Sequence, residues 1–365
     1  MRIVFRADAS TQMGTGHVMR CLALADELRR QGHECHFICR EHPGHLGKFI
    51  TEKGFELDLL RDGYSEDSHP TQIDGNGHAE WLGVSWQTDA LQSQKVLGRI
   101  GADWLVVDHY ALDALWESRV RPLAGRVMAI DDLADRKHHV DLLLDQNLGR
   151  SANDYEGLVP EHCMLLIGPN YALLRPEFSD ARAHSLHRRQ KADLGRILIS
   201  MGGMDTPNTT SSVLKALESS VLPTDLNLDV IMGSTAPWLD EVLYLSKISR
   251  FDINVSTDVR NMAERMCLAD LSIGAAGSTS WERCVLGLPS IAVAQAHNQS
   301  AILEALYSVG AAEKLDYPFD DVELIDIVNR FRKEPETLAA MSERASRVCD
   351  GKGIDRVLGW FNAKK

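Results

Sequence analysis

The sequence predicts an α/β protein of two domains, each a mainly parallel sheet covered by helices on both faces. Three observations predict it. Short apolar runs alternate with segments of helical period along the chain. The same layout restarts after residue 192. The length of 365 residues also exceeds the ~250–300 at which a single core stops growing.

Taken in order, RIVFRA (2–7) reads as a strand. A helix follows over 17–31, with Val18, Leu22, Ala25 and Leu28 on one face. HECHFICRE (33–41) is a strand, and 47–60 a helix and then a strand. Ser85 opens a helix running to about residue 100. ADWLVVDHY (102–110), RVMAIDD (126–132) and VDLLLDQN (140–147) are buried strands ending in polar residues. The second half repeats the form. GRILISMGGMD (195–205) feeds a glycine turn, 209–220 is helical and LDVIMGS (228–234) is a strand. A helix over 259–270 precedes the strand and turn LSIGAAGST, and 280–294 gives a helix and a strand. The remainder is helical, broken at DYPFDD (316–321). The expected divisions are an N-terminal domain over 1–175, a linker over 176–192, a C-terminal domain over 193–345 and a helical tail over 346–365.

Hydrophobic residues make up 44% and charged residues 25%, as in ordinary globular proteins. Thirty-nine basic against 52 acidic residues leave a charge of −13, which argues against a nucleic-acid surface. Seven scattered cysteines with no CxxC spacing read as reduced thiols. The opening MRIVFRADAS lacks signal-peptide character, and no apolar run nears the ~20 residues of a membrane span. The expectation is a cytoplasmic protein without stable membrane insertion.

In open α/β sheets, ligands bind beyond the carboxyl ends of the strands. Polar residues of this chain gather there: Asp8, then Gly14, Gly16 and His17, then Asp108 to Tyr110, Asp131 and Asp132, and Asp145 to Asn147. The second half adds Gly202 and Gly203, Gly233, Gly274 to Ser280, and Gln295 to Gln299. Two such rims predict a cleft holding a small molecule. Gly202 and Gly203 permit close backbone approach. Gly277, Ser278 and Thr279 open a helix whose free N–H groups suit a diphosphate without metal. There is no GxxxxGK[ST], and GTGH at 14–17 lacks the third glycine of a dinucleotide loop. His138 and His139, or His109 beside Asp108, lack the spacing of a metal site.

Several side chains keep more than one reading. His17 either takes a proton from water or packs its loop. Asp8 orients His17, binds a substrate amide or ties down its own loop. Gly14, Gly16, Asp108 and Tyr110 are candidate sugar-binding residues by rim position. Asp131 and Asp132, adjacent in extended chain, point apart. Glu282 either accepts ribose hydroxyls or complements its helix start. Asn298 and Gln299 either recognise hydroxyl and acetamido groups or cap a turn. Trp81, Trp86 and Trp104 read as core or interface. The polar stretch 61–80 and the basic stretch 182–191 carry no motif.

The segments RADASTQMGTGHVMRCLALADEL, VVDHY, IDDLADRKHHVDLLLDQN, GPNYALLRPEF, ISMGGMD, AAGSTSWERCVLGLPSIAVA and HNQ follow one another over most of residues 1–300. In this order they resemble the UDP-sugar hydrolases of pseudaminic acid biosynthesis, which remove UDP from UDP-2,4-diacetamido-2,4,6-trideoxy-β-L-altropyranose. That family is similar to glycosyltransferases with two Rossmann-like domains facing across a cleft, the GT-B type. The resemblance implies His17 as catalytic base, with Asp8 holding the loop, the ring or the sugar amide. It implies Gly202, Gly203 and Asp205 near the diphosphate, Ser278 and Thr279 on phosphate, and Glu282 on ribose. Asn298 and Gln299 would face the sugar, with Tyr171 and Arg175 framing the cleft. The implied partner is a UDP-linked diacetamido-trideoxy sugar, with no cofactor and no metal. The implied reaction is inverting attack of water at the anomeric carbon. The alternatives are a UDP-sugar-dependent glycosyltransferase of cell-surface polysaccharide synthesis, a hydrolase for a related UDP-amino sugar, an epimerase, or a sugar-nucleotide sensor.

Overall fold

The structure is a computed structural model that describes residues 1–61, 76–191 and 193–362, the side chains of His297 and Asn298 excepted. Most of the polar 61–80 stretch, Ala192 at the end of the expected linker, and the last three residues of the tail lie outside the described residues.

The chain divides into two compact units, Met1–Leu173 with Gly353–Lys365, and Leu174–Lys352. The first holds strands β1 (Arg2–Ala7), β2 (Glu34–Arg40), β3 (Glu56–Leu60), β4 (Ala102–Asp108), β5 (Ala124–Ile130), β6 (Leu142–Asp145) and β7 (Met164–Ile167). They form one parallel sheet in the order β3-β2-β1-β4-β5-β6-β7. The apolar runs of β1, β4 and β5 are buried because helices cover both faces. Phe5 and Phe37 stack across β1 and β2 at 4.9 Å. Strand order reverses between β1 and β4, which opens a crevice at their carboxyl ends.

The second unit holds β8 (Arg196–Ser200), β9 (Asn227–Met232), β10 (Asp252–Thr257), β11 (Leu271–Ala275), β12 (Ser290–Val293) and β13 (Glu313–Leu315). All are parallel, in the order β10-β9-β8-β11-β12-β13, so its reversal lies between β8 and β11.

Three strands escaped the pattern reading. β7 and β13 are four and three residues long. β10, DINVST, is an edge strand with no fully buried residue and no apolar run.

The expected linker is mostly structure. Pro176–Arg188 is a helix of the second unit. Its basic run caps carbonyls: Arg182 donates to the carbonyls of Val285, Ser346 and Cys349, and Arg189 to those of Met266, Ala269 and Leu286. Burial lowers the Arg189 pKa to about 10. The tail is split likewise. Residues 346–352 stay with the second unit, while the helix Gly353–Asn362 returns to the first. There it buries Ile354, Val357, Leu358 and Phe361, and the Phe361 ring meets Trp104 at 4.7 Å.

Candidate functional site

The loop between β1 and the helix Gly16–Arg30 brings His17 to the β1/β4 crevice. A bridge between Ser10 and Gly14 closes the loop, and Ser10 Oγ accepts from the N–H groups of Gln12 and Met13. Gly14 turns the chain with φ +78°, a left-handed value that favours glycine. Gly16 begins the helix. The two glycines therefore have a local backbone purpose beside any part in binding.

His17 is buried to 7% exposure, and its Nδ1 lies 2.6 Å from Asp108 Oδ1. Arg20, one turn along the same helix, forks onto Asp108, with Nε 2.6 Å from Oδ2 and NH2 2.7 Å from Oδ1. Burial pushes the Asp108 carboxyl up, but the Arg20 charge and the His17 ring outweigh it and hold it well below the usual range. An ionised Asp108 can only accept, so His17 donates through Nδ1–H, the tautomer in which Nε2 is the nitrogen left for a lone pair. Among the described residues, no protein group bonds Nε2. The ring, its tautomer and a free basic nitrogen are thus set by one carboxylate.

Asp108 was read as a sugar-binding residue. It has no exposed surface, and its oxygens are taken by His17 and Arg20. Its contacts hold the His17 ring and the Arg20 guanidinium. Tyr110, also read as sugar-binding, is 5% exposed and donates its hydroxyl to Asp132 Oδ2 at 2.9 Å. Its ring meets His17 edge-on, with centroids 4.6 Å apart. Asp132 Oδ2 also accepts from Arg20. Arg20 was overlooked in the sequence, although spacing of three on a helix puts it on the face of His17.

Asp8 is the clearest correction. It does not touch His17. It is fully buried, and its Oδ1 accepts from Arg6 and from the Arg40 backbone N–H, both at 2.6 Å. Its Oδ2 lies 3.3 Å from His109 Nε2 and 3.7 Å from His42 Nε2 without hydrogen-bond alignment. Arg6 in turn grips Asp89, which also accepts from Trp116 and Arg40. Burial raises the Asp8 pKa, but Arg6 draws it well below the carboxylate range. Asp8 therefore balances buried charge beneath the crevice. Asp131 and Asp132 do diverge: Asp131 turns to Arg136 and Tyr155.

In the second unit, Gly202 and Gly203 follow β8, and Gly277 to Thr279 follow β11, so both turns lie at that sheet's reversal. Gly202 has φ +85°, and open space surrounds both Gly202 and Gly203 where a Cβ would stand. Gly233 is required by contact: a Cβ there would meet Gly203 O at 2.4 Å. Ser278 caps the helix Thr279–Val285 by position only, without a side-chain bond, and its hydroxyl is not tied to the helix start.

Glu282, on this helix, has a side chain 15% exposed, with Arg175 at 3.7 Å. Burial raises its pKa to about 7, against the pull of Arg175 and Arg283. Arg175 also pairs with Glu177 at 2.8 Å.

Asp205, expected near the diphosphate, has its side chain engaged within its own unit. It is 3% exposed, and its oxygens accept from the N–H groups of Thr209 and Thr210 and from Gln295 Nε2. From four residues ahead it satisfies the first two N–H groups of the helix Thr209–Ser219, whose N-cap position is Asn208. Gln299 accepts from the Gln295 N–H, the turn-capping alternative. The Asn298 side chain lies outside the described residues. Tyr171 belongs to the first unit, packed against its core, and Arg175 to the second. Among the described residues no group of three or more His, Cys, Asp or Glu could hold a metal ion. Nor is any described helix long and apolar enough to cross a membrane.

No family model matches the chain. An uncharacterised protein of Methanocaldococcus jannaschii is 28% identical over 300 residues, 81% of this chain and 56% of that protein. The chain thus spans little more than half of that relative. The UDP-2,4-diacetamido-2,4,6-trideoxy-β-L-altropyranose hydrolase of Campylobacter jejuni is 27% identical over 318 residues, 87% of this chain and all of the hydrolase. Among solved structures, Acinetobacter baumannii MurG superposes with a TM-score of 0.70 at 16% identity, covering 98% of both chains. A kitacinnamycin glycotransferase gives 0.63 at 18%, again over 98% of both. The fold is of the GT-B type. Two parallel sheets, each flanked by helices, make its two Rossmann-like units.

Proposed function

We propose that this chain processes a UDP-sugar, and that it hydrolyses a UDP-linked diacetamido-trideoxy sugar to UDP and the free sugar with inversion at C1. One observation carries the reading. At the β1/β4 reversal, His17 is oriented by an ionised Asp108, itself clamped by Arg20, so that Nε2 is left as a free base. Alignment along the whole Campylobacter hydrolase supports the substrate class.

In the proposed step, water attacks the anomeric carbon from the face opposite the diphosphate. Its proton passes to His17 Nε2 as the C1–O bond breaks and UDP departs with the electron pair. Backbone N–H groups of the Gly202–Gly203 and Gly277–Thr279 turns receive the charge on the leaving diphosphate. Glu282 takes the ribose hydroxyls.

A second reading is favoured by the fold shared with a glycotransferase. The same base would then deprotonate an acceptor hydroxyl in place of water. One experiment separates the two. Wild-type protein is incubated with a panel of UDP-diacetamido sugars in D2O, without acceptor or added divalent metal, and followed by NMR. Hydrolysis releases UDP and an inverted first anomer carrying no carbon-bound deuterium. His17→Ala lowers that rate about 10²–10⁴-fold while UDP still binds. Bound nucleotide sugar that waits for an acceptor supports the transferase. Absence of UDP binding defeats both.

A further inference from the structure

Arg175 stands between two carboxylates of its own unit. Its place is set locally. Pro176 keeps the residue before it extended and opens the helix Pro176–Arg188, with Glu177 in the first turn, where a helix start favours an acid. The guanidinium lies over the ring of the fully buried Phe178, 5.2 Å from its centre. From there Nη1 reaches Glu177 Oε1 at 2.8 Å, a charge-assisted hydrogen bond. Nη2 stays 3.7 Å from Glu282 Oε1, an ion pair beyond hydrogen-bond length.

The two acids compete unequally for one cation. The Glu177 side chain is 40% exposed and has water as an alternative partner. The Glu282 side chain is 15% exposed, and among the described residues Arg175 is the one cation in ion-pair reach of it. Arg283, next along the chain, turns away and donates to the Ala275 carbonyl and Ser280 Oγ. Burial lifts the Glu282 carboxyl, Arg175 and then Arg283 draw it down, and Glu177 pushes it up again, which leaves it at about 7. An ionised carboxylate accepts from two hydroxyls at once, whereas a protonated one gives up part of that capacity to act as a donor. The closer partner, Glu177, thus holds the charge that the buried acid needs in order to accept.

We propose that Arg175 is a positioning residue for ribose recognition: it keeps Glu282 charged for the ribose hydroxyls, Glu177 competes with Glu282 for it, and the trio sets how strongly a ribonucleotide is preferred over its 2′-deoxy form near neutral pH. The inference rests on the reading that Glu282 takes the ribose hydroxyls of a bound uridine nucleotide.

The test titrates UDP and 2′-deoxy-UDP into wild type, Arg175→Gln, Arg175→Lys, Glu177→Gln and Glu282→Gln between about pH 5.5 and about pH 8.5. The ratio of the two affinities cancels protonation of the diphosphate and the base. In wild type the preference for UDP should rise about 10–100-fold as pH passes about 7, the worth of a hydrogen bond to a charged group. Arg175→Gln should move that rise to higher pH by about one unit or more, Glu177→Gln should move it lower, and Arg175→Lys should return it towards wild type. A purely structural part at the helix start would weaken both nucleotides alike and leave the rise in place. That result, a wild-type ratio flat with pH, or a rise unmoved by Glu177→Gln would overturn the inference. Glu177→Gln alters an exposed side chain, so it decides the question even if Arg175→Gln does not fold. Glu282→Gln should give a ratio independent of pH. A pH-dependent ratio surviving in Glu282→Gln would remove the ribose reading itself, and absence of UDP binding in wild type would remove the functional reading with it.

Discussion

Asp108 commits both oxygens to His17 and Arg20, so its charge, not merely its shape, selects the ring tautomer. Asp108→Asn presents an amide that can donate to Nδ1 and reverse the tautomer. Turnover should fall about 10²–10⁴-fold, as for loss of a general base, with UDP affinity retained in a titration. Asp145 poses a proton count. The Tyr155 hydroxyl lies 2.9 Å from Asp145 Oδ2 and 3.0 Å from Asp131 Oδ2, but it has one hydrogen. Against burial, Arg136 and His138 hold Asp131 down to about 2. Burial, and then the Asp132 charge, push Asp145 up to about 7. One phenol hydrogen cannot serve both carboxylates, and below about pH 7 it is Asp145 that holds a proton it can offer to the phenol oxygen. A native pKa above the ordinary 3.8 means that the folded state holds more protons between those values. Its stabilising contribution is whole below pH 4 and is lost as pH rises through about 7, at up to about 1.4 kcal/mol per unit. Asp145→Asn keeps a donor without titrating. Urea unfolding at pH 5 and pH 8 should show a smaller loss for the variant, and equal losses would contradict the assignment. Glu282 shifts the same way in both proteins and cancels from the comparison.

Among the elements, the start of the helix Thr209–Ser219 shows how a motif can mislead. ISMGGMD ends in an acid beside two glycines and invites a ligand role. The acid instead folds back to accept two N–H groups of its own helix, which loop closure alone arranges. Asp205→Ala should cost about 1–2 kcal/mol of stability in chemical denaturation, the usual loss when a side chain that satisfies a helix start is removed. The inhibition constant of UDP should be little changed. A large loss of UDP affinity at constant stability would return Asp205 to the nucleotide. Strands with continuous buried runs, such as β4 and β11, were legible because both faces of a parallel sheet are covered. The edge strand β10 was not, because its partly exposed positions carry Asp, Asn and Thr, and only the neighbouring β9 makes it a strand.

For the molecule as a whole, two sheets with like order share one chain that leaves the first unit at Leu173 and comes back at Gly353. The returning helix contributes Phe361, 2% exposed, to the core beside Trp104. Phe361→Ala should therefore destabilise by about 3–5 kcal/mol, a typical large-to-small core loss. Hydrogen exchange should locate the loss in the strands of the first sheet, although the residue lies at the far end of the sequence. Weakened protection in the second sheet instead would contradict that packing.

By itself the sequence determined the α/β class, the two similar halves and the crevice residues His17, Gly202 and Gly277 to Thr279. These depend on local period, on apolar runs and on turns that follow strands, all of which are written within a few adjacent residues. Only the tertiary structure decided the partners. It gave Asp108 and Arg20 to His17, took Asp8 away to Arg6, turned Asp205 to the start of the helix that follows it, folded the basic linker into the second unit and carried the tail helix to the first. The physical reason is that a buried carboxylate must find donors wherever the fold brings them, and no spacing along the chain records which donors those are.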